Sequence, residues 1–484
     1  MATLTLEQAH ALALQRHQAG DLATALSIYE QILLIQPDHA DTVNMLALLE
    51  SQRGNLPRAL ELIGRAIVID PSKAAFRGTQ GVILSRMNRL DEAIAAYRAA
   101  VALQPDLFAA YNNLGNVLRQ RGLLADAIDA YQKSIAIESN QPQIYFNLGF
   151  ALQEAARPQE AMNCFDRAEA LLSANPKAAA EARLQLGLLH LQRGDFERGF
   201  RLYESRLDVL GFPVRRDFTQ PMWDGSDPAG KTILLHAEQG IGDTIQFFRY
   251  VPLVQSRGAK VILLVQSPLK RLLAVQSICE VYDEADRLPA FDLHCPLGGL
   301  PHRFATRLES IPATTPYLNV PTTLTNEWKT RFAQTGSNLK VGLAWAGNPR
   351  HQQDNLRSLP PGALSPFKSV ERVEFFNLQK DAAESARPDL QMIDWTGDLR
   401  DFADTAALVA GLDLVIAADT AVAHLAGALG RPTWLMLSEP AEWRWLLGRE
   451  GSPWYPTMRL FRQPKPADWA AVIRRVASEL TPPG

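Results

Sequence analysis

The sequence predicts two folds in one chain: an all-α superhelix of repeated helix pairs, followed by an α/β module of two lobes. Three observations predict this. Residues recur at a constant spacing through roughly the first two hundred positions, a proline- and polar-rich stretch ends that pattern, and strand-like apolar runs then alternate with helical ones. With 484 residues, the chain is long enough for two or three domains with large cores.

The N-terminal repeats are defined by residues that return at the same place in each period. Pro37, Pro71 and Pro105 are 34 residues apart. The same spacing relates the alanines Ala25, Ala59, Ala93, Ala127 and Ala161. It also relates the glycines Gly20, Gly54 and Gly122, a series interrupted by Asn88. A third series consists of the aromatic residues Tyr29, Tyr97, Tyr131 and Phe165, with Ile63 in its gap. This is the tetratricopeptide pattern, in which two helices flank a turn and a proline ends the second helix.

Five repeats run from about Leu4 to Ser173, and a sixth follows after an insertion, which places the array at residues 1–211. The small alanines predict close approach of paired helices, and we expect the aromatic residue to fill the space between repeats. Stacked repeats form a superhelix with a concave groove, which most often holds a peptide or protein segment. The sequence therefore predicts a protein or peptide partner.

Asn113 and Asn147 occupy the same repeat position, just before Leu-Gly. Asparagines at this position resemble the ladder that lines the groove of O-GlcNAc transferase, where amides hold a peptide backbone. An amide offers a donor and an acceptor together, which suits a backbone of any sequence. The resemblance implies that Asn113 and Asn147 bind the acceptor. The alternative is that they form hydrogen bonds between repeats, since the other repeats carry Met45, Thr79 and Gln185 there.

Beyond a linker at 212–230, the pattern changes to strands and helices. Strands are predicted in one lobe at 231–235, 260–265 and 291–295. In the other lobe, LKVGLAWAG from Leu339 is predicted to be a strand that runs into a glycine turn, and further strands are predicted at 374–379, 390–394, 412–417 and 431–437. Helices are predicted at 243–255, 401–411, 419–429 and 467–480. The lobes are placed at 231–320 and 339–484, with an inter-lobe linker at 321–338.

The stretch HAEQGIGDTIQFF, residues 236–248, joins the first predicted strand to the first predicted helix of the module. Gly240 and Gly242 let a ligand approach the backbone at a helix N-terminus, where free N–H groups favour anions. The third glycine of a dinucleotide fingerprint is absent, because Ile245 stands there. The turn is a candidate nucleotide-sugar or sugar site, or a tight turn in which Asp243 caps the helix.

Composition narrows the class of protein. The net charge of −3 gives no sign of a nucleic-acid partner, and Cys164, Cys279 and Cys295 are too far apart for a C-x-x-C motif. The N-terminus lacks the features of a signal peptide, and the most apolar run, 406–418, is too short to span a bilayer. The sequence therefore predicts a cytoplasmic protein without a membrane span.

The segment IAADTAVAHLAGALGRPTWLML, residues 416–437, resembles the D-[ST]-G-x-x-H-x-A-x-x-x-G-x-P stretch of glycosyltransferase family nine, the ADP-heptose:lipopolysaccharide heptosyltransferases. It departs from the pattern at Ala421, and its matching residues are Asp419, Thr420, His424, Ala426, Gly430 and Pro432. Gly242 and Asp243 align with that family's Gly-Asp turn. The resemblance covers about residues 231–465 and implies a GT-B module, and the overall plan is similar to bacterial repeat-fused protein O-glycosyltransferases.

The resemblance implies a nucleotide-sugar donor, no cofactor and no metal. Asp243 aligns with the family's general base, and His236 is the rival base because imidazole titrates near neutral pH. The residues expected to bind the donor lie in the two lobes and follow predicted strands or open predicted helices: Gly242, Asn348, Arg357, Gln379, Asp419, Thr420 and His424. Asp419 and Thr420 have a simple alternative, which is capping of the following helix.

Taken together, these features predict a bacterial glycosyltransferase that moves a sugar to a protein held by the repeats, with flagellin or another surface protein as the acceptor class by analogy. One alternative is a heptosyltransferase-like enzyme acting on a glycan or lipid-linked acceptor. The other is a non-catalytic repeat scaffold with a degenerate module, which the departure at Ala421 favours.

Overall fold

The computed structural model describes residues 4–209, 216–347, 354–360, 362–380, 388–439 and 441–480. The chain divides into two compact units, Met1–Ala182 and Arg183–Gly484. The first unit is all-helical and the second contains both sheets. The all-α array followed by an α/β region is thus confirmed.

Five helix pairs build the described part of the first unit. Each pair consists of a first helix of 13 residues and a second of 14. They are α1 (Leu6–Gln18), α2 (Leu22–Ile35), α3 (Ala40–Gln52), α4 (Leu56–Ile69), α5 (Ala74–Arg86), α6 (Leu90–Leu103), α7 (Phe108–Gln120), α8 (Leu124–Ile137), α9 (Pro142–Glu154) and α10 (Pro158–Leu171).

The turn inside each pair has one residue in the left-handed region. Gly20, Gly54 and Gly122 have φ angles of 80°, 85° and 79°. Asn88 and Ala156, which stand where the glycine series is interrupted, adopt φ angles of 57° and 56°. The repeat geometry therefore imposes the left-handed turn even where glycine, the residue best suited to it, is missing.

The aromatic series packs inside each helix pair, which corrects the expectation that it fills the space between repeats. A Cβ atom placed on the glycine of the first helix would come within 2.6–2.7 Å of the ring on the second, in the pairs Gly81–Tyr97, Gly115–Tyr131 and Gly149–Phe165. The bare glycine backbone makes room for the ring. The first two pairs carry buried alanines at the glycine position, Ala13 in the pair of Tyr29 and Ala47 in the pair of Ile63.

The second unit begins inside the sixth helix pair, α11 (Ala180–Gln192) and α12 (Phe196–Tyr203), whereas the sequence analysis placed the end of the array at residue 211. Aromatic packing explains the difference. Phe196 stacks on Trp454 with ring centroids 5.7 Å apart, and Phe200 meets Trp443 edge-on at 5.6 Å. The sixth pair is therefore part of the core of the α/β unit.

Two separate parallel sheets organise the rest of this unit. Four strands in the order β3-β2-β1-β4 form the first sheet, and five in the order β6-β5-β7-β8-β9 form the second. They are β1 (Thr232–His236), β2 (Lys260–Leu264), β3 (Glu280–Tyr282), β4 (Leu293–Pro296), β5 (Leu339–Ala344), β6 (Val373–Asn377), β7 (Leu414–Ala418), β8 (Thr433–Leu437) and β9 (Met458–Arg462). Their central strands are almost fully buried, as expected for parallel sheets covered on both faces.

The helices that accompany these sheets are α13 (Ile241–Phe248), α14 (Val251–Ser256), α15 (Ser267–Ala274), α16 (Leu300–Arg303), α17 (Thr322–Phe332), α18 (Asp354–Arg357), α19 (Phe402–Ala410), α20 (Ala421–Ala428) and α21 (Trp469–Leu480). The helix predicted at 243–255 is divided into α13 and α14, since Pro252 cannot donate a helical hydrogen bond. The strand predicted at 390–394 forms only a single bridge, between Ile393 and Phe376.

The two predicted linkers are packed where the structure describes them. In the first, Trp223 is buried and its backbone N–H donates to the carbonyl of His294, 2.8 Å away. In the second, α17 packs through Trp328 against Trp395, with centroids 5.7 Å apart. No helix within the described ranges is long and apolar enough to cross a membrane.

Candidate functional site

The candidate site is formed by the loops that follow the carboxyl ends of the central strands in the two sheets. In the first sheet, β1 lies between β2 and β4, so the chain reaches these two strands by connections that run in opposite directions along the sheet. In the second sheet, β5 lies in the same way between β6 and β7. Open parallel sheets bind ligands at such a switch point. The loops there begin at Ala237 and Leu297 in the first sheet, and at Trp345 and Asp419 in the second.

Gly242 and His424 bring the two switch points into contact. Gly242 lies in α13, and a Cβ atom added to it would come within 2.7 Å of Cδ2 of the His424 ring in α20. This close approach is a physical reason for glycine at position 242. Two residues predicted to bind the donor therefore touch across the site.

Asp243 uses both carboxylate oxygens within the protein. Oδ2 accepts from the backbone N–H of Gly240 at 3.0 Å, which completes a capping interaction at the start of α13, and Oδ1 accepts from Arg444. Burial raises the pKa of Asp243, and the Arg444 guanidinium opposes that shift. The capping alternative thus describes one real contact of this side chain, and the base role stays a prediction.

Arg444 was missed by the sequence analysis and lies at the centre of the cluster. Its side chain is only 4% exposed, and it donates to Asp243, to Glu442 at 2.5 Å and to Gln246 at 2.7 Å. Burial alone would lower the pKa of Arg444, but the two carboxylates outweigh it and raise the pKa. Because an arginine in a tryptophan-rich segment has no sequence signature, only the tertiary contacts identify it.

Asp419 and Thr420 follow β7, and neither side chain caps α20. Asp419 accepts from the indole N–H of Trp445 at 2.8 Å. Burial, and then the charge of Glu442, raise the pKa of Asp419 well above its usual range, while Trp445, Arg444 and Arg357 oppose the shift. Thr420 is the N-cap residue of α20, yet its side chain makes no capping hydrogen bond.

The hydroxyl of Thr420 is buried and has no hydrogen-bond partner among the residues that the structure describes. Its neighbours in the following helix have free backbone N–H groups, since the first amides of any helix lack intrahelical acceptors. A hydroxyl and amides at a helix N-terminus favour an anion such as a phosphate.

His424 is buried beneath this N-terminus. Its Nδ1 lies 2.9 Å from the hydroxyl of Tyr455, and its ring centroid lies 5.4 Å from that of Trp445. Burial, followed by the nearby arginines, lowers the pKa of His424 well below its ordinary value. The ring is therefore neutral at physiological pH, and it packs against Gly242 rather than carrying a charge.

Arg357 and Gln379 lie at the carboxyl edge of the second sheet. The Arg357 side chain donates to Asp354 at 3.2 Å and stays 24% exposed, and its charge acts on both Asp419 and His424. Gln379 accepts from the backbone N–H of Ala346 at 3.0 Å, so it supports the turn after β5. Asn348, also predicted to bind the donor, lies outside the described residues.

His236 is placed differently from the other predicted site residues. It ends β1, with Nε2 3.3 Å from Nδ1 of His294 and its ring 5.4 Å from that of Phe218. Burial, and then His294, lower the pKa of His236 to about 3. An imidazole with that pKa is a poor base at neutral pH, which weakens its case as the rival general base.

Glu238 is a second residue that the sequence analysis missed. Its Oε1 accepts from Arg206 Nη2 at 2.8 Å and from the backbone N–H of Gly298 at 3.2 Å. Arg206 lies in the short 3-10 helix that follows α12, is fully buried, and also donates to Glu204 at 2.7 Å. The end of the sixth helix pair thus holds the first turn of the site.

Asn113 and Asn147 lie in the first unit and belong to a row of amides. Asn147 Nδ2 donates to Asn112 Oδ1 at 2.9 Å, and Asn112 Nδ2 is 3.5 Å from Asn113 Oδ1. The first of these contacts joins α9 to α7, so the inter-repeat alternative describes a hydrogen bond that the structure contains. Both side chains remain partly exposed, and the prediction that they bind an acceptor stays open.

Comparison with known proteins gives one curated relative and several solved structures. Protein FlbA of Caulobacter vibrioides is 27% identical over 334 residues, which cover 63% of this chain and 56% of FlbA, so the chain spans about half the length of that relative. MamA is 25% identical with a TM-score of 0.31, covering 34% of this chain and 96% of MamA. PilW, a type IV pilus biogenesis factor, is 20% identical with a TM-score of 0.39, covering 43% of this chain and 93% of PilW.

Tetratricopeptide-repeat family models match residues 16–83 and 79–142. These matches cover the helix pairs whose glycine turns and glycine–aromatic contacts repeat in the structure. Tetratricopeptide arrays are scaffolds that bind peptide or protein segments. The N-terminal unit of this protein is therefore a tetratricopeptide-repeat superhelix, a protein-binding scaffold joined in one chain to an α/β unit.

Proposed function

We propose that this protein is a glycosyltransferase of the GT-B type, which transfers a sugar from a nucleotide-sugar donor to a protein acceptor bound by the repeats. One observation carries the proposal: the switch points of two parallel sheets meet at a buried cluster that contains carboxylates, an arginine and an open helix N-terminus. That combination supplies what glycosyl transfer requires, which is anion binding beside a proton acceptor.

The donor diphosphate is assigned to the second sheet. The N-terminus of α20 and the Thr420 hydroxyl are the anion-binding groups, and Arg357 supplies positive charge as the leaving group departs. Arg444 adds a second, fully buried positive charge between the two sheets. The acceptor hydroxyl is assigned to the loop that follows β1, on the other side of Arg444.

The test is a panel of UDP-, GDP-, ADP-, CMP- and dTDP-sugars incubated with the full chain, with and without purified flagellin, and read by mass spectrometry. We expect one donor class to be hydrolysed slowly alone, and to modify a protein acceptor when one is present. Transfer to a glycan but not to any protein would favour the heptosyltransferase-like alternative. Neither binding nor turnover of any donor would overturn the proposal in favour of a non-catalytic scaffold.

A further inference from the structure

Glu238 carries a buried carboxylate oxygen that accepts no hydrogen bond from the described part of the chain. The residue is 5% exposed. Oε1 is occupied by Arg206 and by the backbone N–H of Gly298, whereas Oε2 has no donor. A buried carboxylate oxygen without a donor is costly unless another group binds it. The unpaired oxygen therefore points to a ligand that brings its own hydrogen-bond donor.

Both carboxylate oxygens of Asp243 are already engaged: one accepts a hydrogen bond from the backbone N–H of Gly240, and the other accepts from Arg444. Asp419 accepts from Trp445 on the opposite side of the cluster. Glu238 differs from Asp243 because one of its oxygens is buried without a donor among the described residues, and that oxygen is left to accept a proton.

A small recess adjoins Glu238 at the switch point of the first sheet. Its walls come from the loop after β1, the start of α13 and the loop after β4: Ala237, Glu238, Gln239, Asp243, Thr244, Phe247, Leu297 and Gly298. Gly298 is required there, because a Cβ atom on it would lie 2.5 Å from Glu238 Oε1. The recess is of about the size of one water molecule. It admits a hydroxyl group but excludes a sugar ring.

We propose that Glu238 accepts the proton of the acceptor hydroxyl, and that Asp243 is a positioning residue that orients Arg444. This inference rests on the proposed glycosyl transfer. The hydroxyl proton moves to Oε2 as the hydroxyl oxygen forms its bond to the anomeric carbon. The bond from that carbon to the diphosphate oxygen breaks, and the diphosphate leaves with the electron pair. The recess selects a slim hydroxyl, such as that of serine or threonine.

The surroundings of Glu238 suit this role. Burial raises the pKa of Glu238, and Arg206 opposes the shift. Titratable groups on the elements packed around Glu238 also change its pKa or have their own pKa changed by its charge. These groups are Tyr203, Glu204, Asp243 and Cys295. A carboxylate with a raised pKa is a stronger base, and it loses activity when it is protonated at acidic pH. The rate should therefore rise with pH through the raised pKa of Glu238.

The experiment measures kcat for protein transfer as a function of pH in wild type, Glu238→Gln, Asp243→Asn and Glu204→Gln. We expect Glu238→Gln to lower kcat by roughly 10²–10⁴-fold and to remove the acidic limb of the profile, with the donor KM unchanged. Asp243→Asn should keep the acidic limb, because it leaves Glu238 in place. Glu204→Gln is the matched comparison, since Glu204 also pairs with Arg206 but does not line the recess. It should keep the acidic limb and move it to lower pH, because the charge of Glu204 raises the pKa of Glu238.

If Glu238→Gln unfolds, Glu238→Asp tests instead whether Glu238 acts as a base or only as a structural partner of Arg206. It preserves the charge opposite Arg206 but withdraws the carboxylate by one methylene, so a base role predicts a loss of roughly 10-fold or more and a structural role predicts a near-normal rate. One result would overturn this inference and leave the proposed function standing. In that result Asp243→Asn removes the acidic limb, while Glu238→Gln keeps it or Glu238→Asp has a normal rate. A wild-type chain without any transfer would overturn the proposed function and this inference together.

Discussion

At the scale of single residues, Thr420 shows how a local signal and its tertiary setting combine. The sequence motif singles out the residue, but it predicts equally well a helix cap and a phosphate ligand. In the structure the hydroxyl caps nothing and is buried without a partner in the described ranges. The absence of a capping bond favours the proposed binding role over the cap.

We expect Thr420→Val to raise the donor KM by about 10-fold to 100-fold, the value of one hydrogen bond to a charged group. The melting temperature should hardly change, because valine keeps the shape and no capping bond is lost. Thr457→Val is the matched control: its hydroxyl is also buried without a partner among the described residues, yet it lies outside the candidate site. Donor titrations of both variants decide the matter, and equal KM values for the two would argue against a role in donor binding.

At the scale of elements, three of the five helix pairs depend on one glycine–aromatic contact each. The series of aromatic residues is visible in the sequence, but its partner is not, because the ring meets a helix sixteen residues upstream in the chain rather than the neighbouring repeat. Gly78 and Gly81 lie in the same helix, α5, and only Gly81 faces a ring. The two positions therefore separate helix propensity from packing.

Gly81→Ala should destabilise the repeats by about 1–3 kcal/mol, because the added methyl group would lie 2.7 Å from the Tyr97 ring. Gly78→Ala should instead stabilise them by about 0.5–1 kcal/mol, since nothing lies within 4 Å and alanine favours the helix. Urea unfolding of the full chain, followed by far-UV circular dichroism, measures both free energies of unfolding. A similar effect of the two substitutions would contradict the packing explanation.

At the scale of the whole molecule, the boundary between the units decides which fragments are stable. The sixth helix pair looks like one more repeat in sequence, but its buried side chains belong to the α/β core: Phe196, Phe200, Tyr203 and Arg206. Removing it together with the following 3-10 helix would deprive Trp443 and Trp454 of their contacts with Phe196 and Phe200, and Glu238 of its arginine. The α/β unit therefore requires residues that the repeat pattern assigns to the array.

A chain beginning at Pro176 should fold with a cooperative thermal transition and keep slow donor hydrolysis, while losing transfer to protein. A chain beginning at Phe212 should fail to fold stably, because leaving a buried charge unpaired costs about 3–5 kcal/mol and losing each buried aromatic costs a similar amount. These losses are comparable with the whole stability of a domain, about 5–15 kcal/mol. Melting curves and gel filtration test this, and equal stability of the two fragments would place the boundary back at residue 211.

The sequence by itself determined the features that depend on local periodicity. The period of 34 residues specified the helix pairs, and alternating apolar runs specified most of the strands, because both patterns report which faces of an element are buried. The edge strands β3 and β9 were missed: β3 has only three residues, and arginines interrupt the apolar run of β9. The two motifs around Asp243 and Asp419 were also visible, because each turn must combine glycine or a small polar residue with a helix start.

Only the tertiary structure decided which side chains meet. Arg444, Arg206 and Glu238 have no motif, and they join the site because segments distant in the chain are buried against one another. The same packing turned His236 away from the cluster and toward His294, although it is a close sequence neighbour of Asp243. A strand places successive side chains on opposite faces, so proximity in sequence does not imply a shared site. Burial and charge pairing depend on the assembled fold, and for that reason the proposed proton acceptor could be chosen only from the structure.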